Sequence, residues 1–227
     1  VEEKLSGRSY SADNVKEVRN VLGVRLDDNL SSAQVVLIVE GEEDRIALTG
    51  ILSAMDAALA RELKTGRVAI DVLGGAGNLV HRIRLHTEAM CDVHAFLDHD
   101  VAGRQAFDAA KNEGVIKSSA VNFALVGGKT ESELEDLYDE AVFSDILQDE
   151  IGLAWISGGP DKNKKWAERV RNLLRRGGKP MDEGTLLAIK IKVAAKAASL
   201  GLAALHQSKK GPIESLCNSL KSRLEMS

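Results

Sequence analysis

Four carboxylates are placed where a sheet presents its chemistry: Glu40, Asp44, Asp98 and Asp100. Glu40 closes the apolar run VVLIV, and Asp98 and Asp100 close AFL in AFLDHDVAG. A short, continuous apolar run rich in Val and Ile and bounded by Gly reads as a buried strand of a parallel sheet. Both sets of acids then lie at strand C-termini, the edge where open α/β sheets take their ligands. After Gly41 the sequence turns helical, so Asp44 falls in the first helical turn and faces the same crevice as Glu40. Asp98 and Asp100 are two apart, the strand period, which predicts that both point to one side. Four acids so gathered repel one another unless a cation neutralises them. Oxygen-only ligation suits Mg²⁺ or Mn²⁺. The histidines at 81, 86, 94, 99 and 206 form no HExxH and no Cys/His cluster, which argues against zinc. His99, between the two aspartates, is expected to face away from them in a structural or supporting role.

The elements that must position these acids follow from the hydrophobic period. Residues 1–32 are polar, with amphipathic turns around Val15, Val18, Val21 and Leu22 that predict a helix packing on the core or leading in from an upstream domain. A strand over 35–39 precedes a helix over 43–63, whose Ile46, Leu48, Ile51, Leu52, Met55 and Leu59 recur at helical spacing. A strand over 68–73 leads into GGAGN at 74–78. That stretch is not GxGxxG, so a tight strand-to-helix turn is the first reading and amide contact with a phosphate the second. A helix over 79–90, a strand over 93–97, a helix over 101–112 and a strand over 121–125 complete the pattern. The alternation β-α-β-α-β-α-β predicts a mostly parallel sheet flanked by helices.

The 227 residues suffice for one such core and a smaller helical unit. Cys91 and Cys217 make neither a CxxC pair nor a disulfide framework, which fits a reducing cytoplasm. No apolar run approaches the ~20 residues of a membrane span, and VEEKLSGRSY is unlike a signal peptide, so a soluble protein with no membrane partner is expected. The net charge of −4 argues weakly against a general polyanion binder.

An apolar strand ending in Glu-Gly-x-x-Asp, followed by a strand ending in Asp-x-Asp-x-x-Gly, resembles the Toprim fold of topoisomerases, primases and several nucleases. The matching residues are Glu40, Gly41, Asp44, Asp98, Asp100 and Gly103. The segment TESELEDLYDEAV narrows the likeness: it is similar to the overcoming-lysogenisation-defect (OLD) nucleases, in which an acid of this segment joins the metal site. Glu135 is the first choice for that acid and Glu133 the second, on the expectation that only one of the two faces inward. The resemblance implies a Toprim catalytic core over 34–140, after a helical lead-in over 1–33 and before a mainly helical part over 141–227. It also implies a second half elsewhere, because the family carries an N-terminal ABC-type ATPase. A late lysine near the metal site is a further family feature, and Lys190 is the candidate.

Three other stretches bear on function. Gly127-Gly128-Lys129-Thr130 ends like a phosphate-binding P-loop, but Phe123 stands where that motif needs Gly, so a turn is expected. Residues 131–150 hold nine acids and no Lys or Arg, mostly explained by a solvated helix face. Residues 162–179 invert the sign, with eight bases against Glu168, a net +7. Trp166, Val170, Leu173 and Leu174 would anchor one face of a helix there, leaving bases such as Arg171, Arg175 and Arg176 for nucleic-acid phosphates. The Ala-rich stretch 181–205, which carries Lys190 and Lys192, predicts a buried helix, and 208–227 a short amphipathic helix for docking or a homodimer contact.

The resemblance implies a function, metal-dependent hydrolysis of DNA phosphodiesters by two ions roughly 3.5–4 Å apart, and a role for each site residue. Glu40 would ligate an ion or act as general base, Asp98 would bridge both ions, and Asp44, Asp100 and Glu135 or Glu133 would complete the shells. Lys190 would offset charge developing on phosphorus. Mg²⁺ or Mn²⁺ would activate, and Ca²⁺ is a further ion to test. One alternative is a non-catalytic module that binds DNA or docks an ATPase. Another is a phosphatase of the haloacid-dehalogenase type with Asp98 as nucleophile, although Ala102 stands where that family has Thr or Val and Glu-Gly-x-x-Asp would go unexplained. Strand passage would need a nucleophilic tyrosine, and neither Tyr10 nor Tyr138 is suggestively placed.

Overall fold

The computed structural model describes residues 33–180 and 182–225. The helix expected around Val15 to Leu22 and the rival nucleophile Tyr10 lie outside the described residues. Four strands, β1 (Val35–Val39), β2 (Val68–Val72), β3 (Asp92–Leu97) and β4 (Val121–Phe123), form one sheet in the order β2-β1-β3-β4. All three pairings are parallel, from Val35 opposite Val68, Val35 opposite Asp92 and Ala95 opposite Val121. This is the α/β, Toprim-like layout expected, with further helices packed on it.

The pleat explains why β1 is apolar throughout. Val35, Leu37 and Val39 enter one core cluster, whereas Val36 and Ile38 enter the other, because alternate side chains leave opposite faces. On the second face lie α3 (Leu79–Glu88) and α4 (Val101–Asn112), through Leu79, Ile83 and Ala110. The first face is covered by α1 (Glu42–Met55), α2 (Ala57–Thr65), α5 (Ser144–Ile151), α6 (Trp166–Arg176), α7 (Glu183–Leu200) and α8 (Gly211–Glu225). Helix α7 runs against α1 so closely that a Cβ at Gly50 would stand 2.5 Å from the Ala198 Cα.

Two local expectations change. The single helix over 43–63 is two helices that break at Asp56, whose extended backbone ends α1. Its carboxylate also caps α2 by accepting from the Leu59 N–H at 2.9 Å. The acidic segment is only in part the solvated helix expected: its first portion is a 3₁₀ turn, Leu134–Leu137, with Glu133, Glu135 and Asp136 all buried. Gly74 and Gly75 have positive φ and lead straight into a short 3₁₀ turn ahead of α3, as a tight strand-to-helix turn requires.

Strand order also decides where a ligand can enter. From β1 the chain crosses to β2 on one side, and from β3 it crosses to β4 on the other. The loops after β1 and β3 therefore part, and the crevice left between them is the usual ligand position of an open parallel sheet. Glu40 follows β1 and Asp98 follows β3.

Candidate metal centre

Glu40 and Asp98 are tied together across that crevice: the Asp98 N–H donates to Glu40 Oε1 at 3.0 Å. The approach depends on Gly103, where a Cβ would lie 2.2 Å from the Asp98 carbonyl oxygen and 3.0 Å from Glu40 Oε1. Asp44, buried in the first turn of α1, accepts from the Gly41 N–H at 3.0 Å and so holds the entry to the helix. Asp100 is the N-cap of α4. Its Oδ1 accepts from the Gly103 N–H at 2.9 Å and its Oδ2 from the Lys165 ammonium at 2.5 Å.

The second group of acids reaches the crevice through His99. Its N–H donates to the Ser132 carbonyl at 2.8 Å and its carbonyl accepts from the Ser132 N–H at 3.0 Å. The Ser132 hydroxyl donates to the Ala124 carbonyl at 2.7 Å and accepts from the Val126 N–H at 3.1 Å. The acidic segment is thus fastened beside the end of β3, and His99 serves by its backbone while its ring meets Phe123 edge-on. Both Glu133 and Glu135 then turn inward, against the expectation that only one would. Glu133 precedes the 3₁₀ turn Leu134–Leu137 and Glu135 lies within it, and both side chains are buried.

Lys190, on α7, meets this group from the far side. Its ammonium is 3.2 Å from Glu135 Oε1, 3.3 Å from Glu133 Oε2 and 3.5 Å from Glu43 Oε1. Glu43 is absent from the sequence-derived site because nothing in α1 alone distinguishes it from Glu42. The other Glu133 oxygen accepts from the Ala167 N–H at the start of α6. Asp136 receives the Trp166 N–H at 3.2 Å and the Lys129 ammonium at 2.5 Å. The glycine-rich turn before Thr130 therefore spends its lysine on a carboxylate rather than forming a P-loop.

The electrostatics record crowding. Burial, with the neighbouring Asp44 and Asp100, pushes the Glu40 carboxyl up to about 7, against the Asp98 N–H bond. Burial raises Asp44 to about 6 despite Lys190, with Glu43 and Glu133 adding to the rise. Burial raises Glu135 to about 8, again against Lys190, with Glu133 and Asp44 contributing. Asp98 is pushed well above the carboxylate range by burial and by Asp44, Glu133 and Glu40. Burial would also lift Asp100, but the Gly103 N–H and Lys165 outweigh it and hold this carboxyl below its ordinary value. For Lys190, burial is outweighed by Glu135, Glu133, Asp98 and Asp44, which keep the ammonium charged.

As the chain stands, no three Asp, Glu, His or Cys side chains among the described residues are gathered closely enough to hold an ion. The Lys190 ammonium supplies the positive charge where Glu43, Glu133 and Glu135 approach. The donor chemistry still fits a hard divalent cation. Every available ligand is a carboxylate oxygen, four of the carboxyls are pushed upward by burial and by one another, and Glu135 Oε2 is buried without a hydrogen-bond partner. Glu40, Asp44, Asp98 and Glu135 would be the holders. The two Asp100 oxygens are both engaged, as are both Glu133 oxygens.

The basic stretch is less free than its net charge suggests. Lys164 pairs with Glu168, Arg171 with Glu183 and Arg176 with Asp161. Arg169 lies over the Trp155 ring at 4.0 Å and donates to the Ile156 carbonyl at 2.5 Å. Trp166, Val170, Leu173 and Leu174 are buried, as the spacing predicts. Tyr138 is buried, and its hydroxyl is pushed well above the ordinary range by burial and by Glu135 and Asp44, a poor setting for a nucleophile. No described helix is long and apolar enough to cross a membrane, and Cys91 and Cys217 are both buried.

No family profile and no curated protein matches the sequence. Solved structures do match the fold. The C-terminal region of the Burkholderia pseudomallei OLD protein superposes with a TM-score of 0.50 at 14% identity, over 86% of this chain and 99% of that one. The C-terminal region of the Xanthomonas campestris pv. campestris OLD protein gives 0.51 at 14% identity, over 88% and 97%. The chain has the fold of OLD C-terminal regions, and the likeness extends through the helices as well as the sheet.

Proposed function

We propose that this chain is a divalent-metal-dependent nuclease that hydrolyses phosphodiester bonds in DNA at the crevice between β1 and β3. The observation that carries the reading is the grouping of Glu40, Asp44, Asp98 and Glu135 about the sheet's switch point, with their carboxyls pushed upward by burial and by one another and one buried carboxylate oxygen unpartnered. The OLD-like fold supports it, and by the same likeness the chain would act as the C-terminal region of a longer protein beside an ABC-type ATPase.

In this reading Glu40, Asp44, Asp98 and Glu135 would hold two Mg²⁺ or Mn²⁺ ions. Bound there, the ions supply the positive charge that lets the acids ionise together and that polarises a phosphodiester. Glu40, fixed by the Asp98 N–H and with its proton held near neutrality, is suited to accept a proton from the attacking water. Lys190 would offer its charge to the phosphate oxygens as the displacement proceeds. Asp100 caps α4 and steadies Lys165, so its part is to position.

The test is plasmid cleavage with Mg²⁺, Mn²⁺, Ca²⁺ or EDTA, with Asp98→Ala and Glu40→Ala beside the wild type. Metal-dependent nicking or linearisation abolished by both substitutions is expected. Turnover of a small phosphomonoester but not of DNA would replace the reading with a phosphatase. DNA or ATPase binding without cleavage under every metal would replace it with a docking module.

A further inference from the structure

Of the eight bases in 162–179, the structure singles out Lys165. Its ammonium bonds Asp100 at 2.5 Å beside the carboxylate centre, and its charge is also felt by Glu40. Its backbone is clamped from both sides. The Lys164 carbonyl accepts from the Lys129 ammonium at 2.7 Å, the Trp166 N–H donates to Asp136 at 3.2 Å and the Ala167 N–H donates to Glu133. The other partnered bases of the stretch bond Glu168, Glu183, Asp161 or Asn172, or stack on Trp155.

Placing a lysine there breaks a local rule. Lys165 is the N-cap of α6, a position that favours Ser, Thr, Asp or Asn, and a cation at a helix N-terminus is opposed by the helix dipole. The side chain makes no cap hydrogen bond. Local stability does not call for this residue, and such departures concentrate at functional positions. The ammonium is also within reach of a ligand, with 23% of the side chain exposed, against 13% for Lys190. Asp100 is already satisfied on its other oxygen by Gly103, so it can release the ammonium and keep an N-cap bond.

We propose that Lys165 is a phosphate-binding residue. It would grip a non-bridging phosphate oxygen of the polynucleotide beside the carboxylate centre, with Asp100 holding the ammonium in place until the strand arrives. The proposal rests on the nuclease reading and deepens it. It also moves the expected nucleic-acid contact from the outer face of α6, where Arg171 and Arg176 are paired, to the start of that helix.

The experiment measures binding of a fluorescent DNA duplex across a salt series, together with KM and kcat for its cleavage. It uses the wild-type chain, Lys165→Gln, Lys165→Arg and Lys64→Ala, which removes one charge from α2. Gln can still donate to Asp100, so Lys165→Gln separates lost charge from a lost structural tie, and thermal melting confirms folding. Expected for Lys165→Gln is affinity weakened roughly tenfold, a log–log salt slope shallower by about 0.9, and a KM raised more than kcat is lowered. Lys165→Arg should restore most of the affinity, and Lys64→Ala should leave the salt slope close to wild type. If the wild type binds and cleaves DNA and Lys165→Gln matches it in affinity and slope, the Lys165 assignment is overturned and the nuclease reading stands. A wild type that neither binds nor cleaves DNA overturns both.

Discussion

The Lys190 ammonium lies 3.2 Å from Glu135 Oε1, while the other oxygen of that carboxylate, Oε2, is buried with no hydrogen-bond partner. One cation from α7 thus serves three acids, and the charge balance of the centre is short. Removing it should leave the buried Glu133 and Glu135, and the half-buried Glu43, without that charge.

Lys190→Met is therefore expected to destabilise the metal-free chain by about 3 kcal/mol, the cost of breaking a buried ion pair from one side. Arg176→Ala, which opens a more exposed pair with Asp161, should cost at most about 1 kcal/mol. Urea denaturation in EDTA at neutral pH makes the comparison. Equal losses would mean that Lys190 does not carry the charge balance of the centre.

The raised carboxyls set a pH dependence whose sign follows from proton counts. Glu40, Asp44 and Glu135, at about 7, 6 and 8 when folded, keep protons that the unfolded chain releases near pH 4. Their contribution is full below about pH 4 and is lost as pH rises from there through the folded values of 6 to 8, by about 1.4 kcal/mol per pH unit for each proton of difference. His94 works oppositely: burial lowers it to about 4, so it costs stability as pH falls from about 6.5. Three carboxyls outweigh one histidine, so the metal-free melting temperature should be highest near pH 4 and fall toward pH 8. Glu135→Gln should flatten the alkaline side. Stabilisation by Mg²⁺ or Mn²⁺ should be larger at pH 8 than at pH 6.

Gly103→Ala should damage the centre without touching a carboxylate. The new methyl would meet the Asp98 carbonyl at 2.2 Å and Glu40 Oε1 at 3.0 Å, and both are held by surrounding structure. A loss of about 2–3 kcal/mol is expected, together with a smaller thermal shift on adding Mn²⁺. Gly77→Ala, with nothing within 4 Å of the added methyl, provides the control. Denaturation and thermal shift on the two variants decide it.

Much of this protein is legible residue by residue. The run Val35–Val39, the acids that end it, and the helix Val101–Asn112 after Asp98 and Asp100 all follow from local pattern. A strand buried on both faces must be apolar throughout, and a Gly is required where Asp98 and Glu40 approach. The break at Asp56 was also present in the sequence, as an N-cap residue inside an apolar period that the wider helical pattern concealed.

Tertiary structure alone decided how the remaining charges meet. Glu43 and Lys190 are 147 residues apart, and Asp100 and Lys165 are 65 apart. No local period relates such pairs. The inward turn of both Glu133 and Glu135 depends on the 3₁₀ path that follows the His99–Ser132 pairing. The partial pairing of the +7 stretch depends on acids at 100, 161 and 183, brought to their bases by the packing of the chain. A strand's periodicity reports which face is buried, whereas an ion pair depends on where two distant backbones are set down, and that is settled by the packing of α6 and α7 against the sheet.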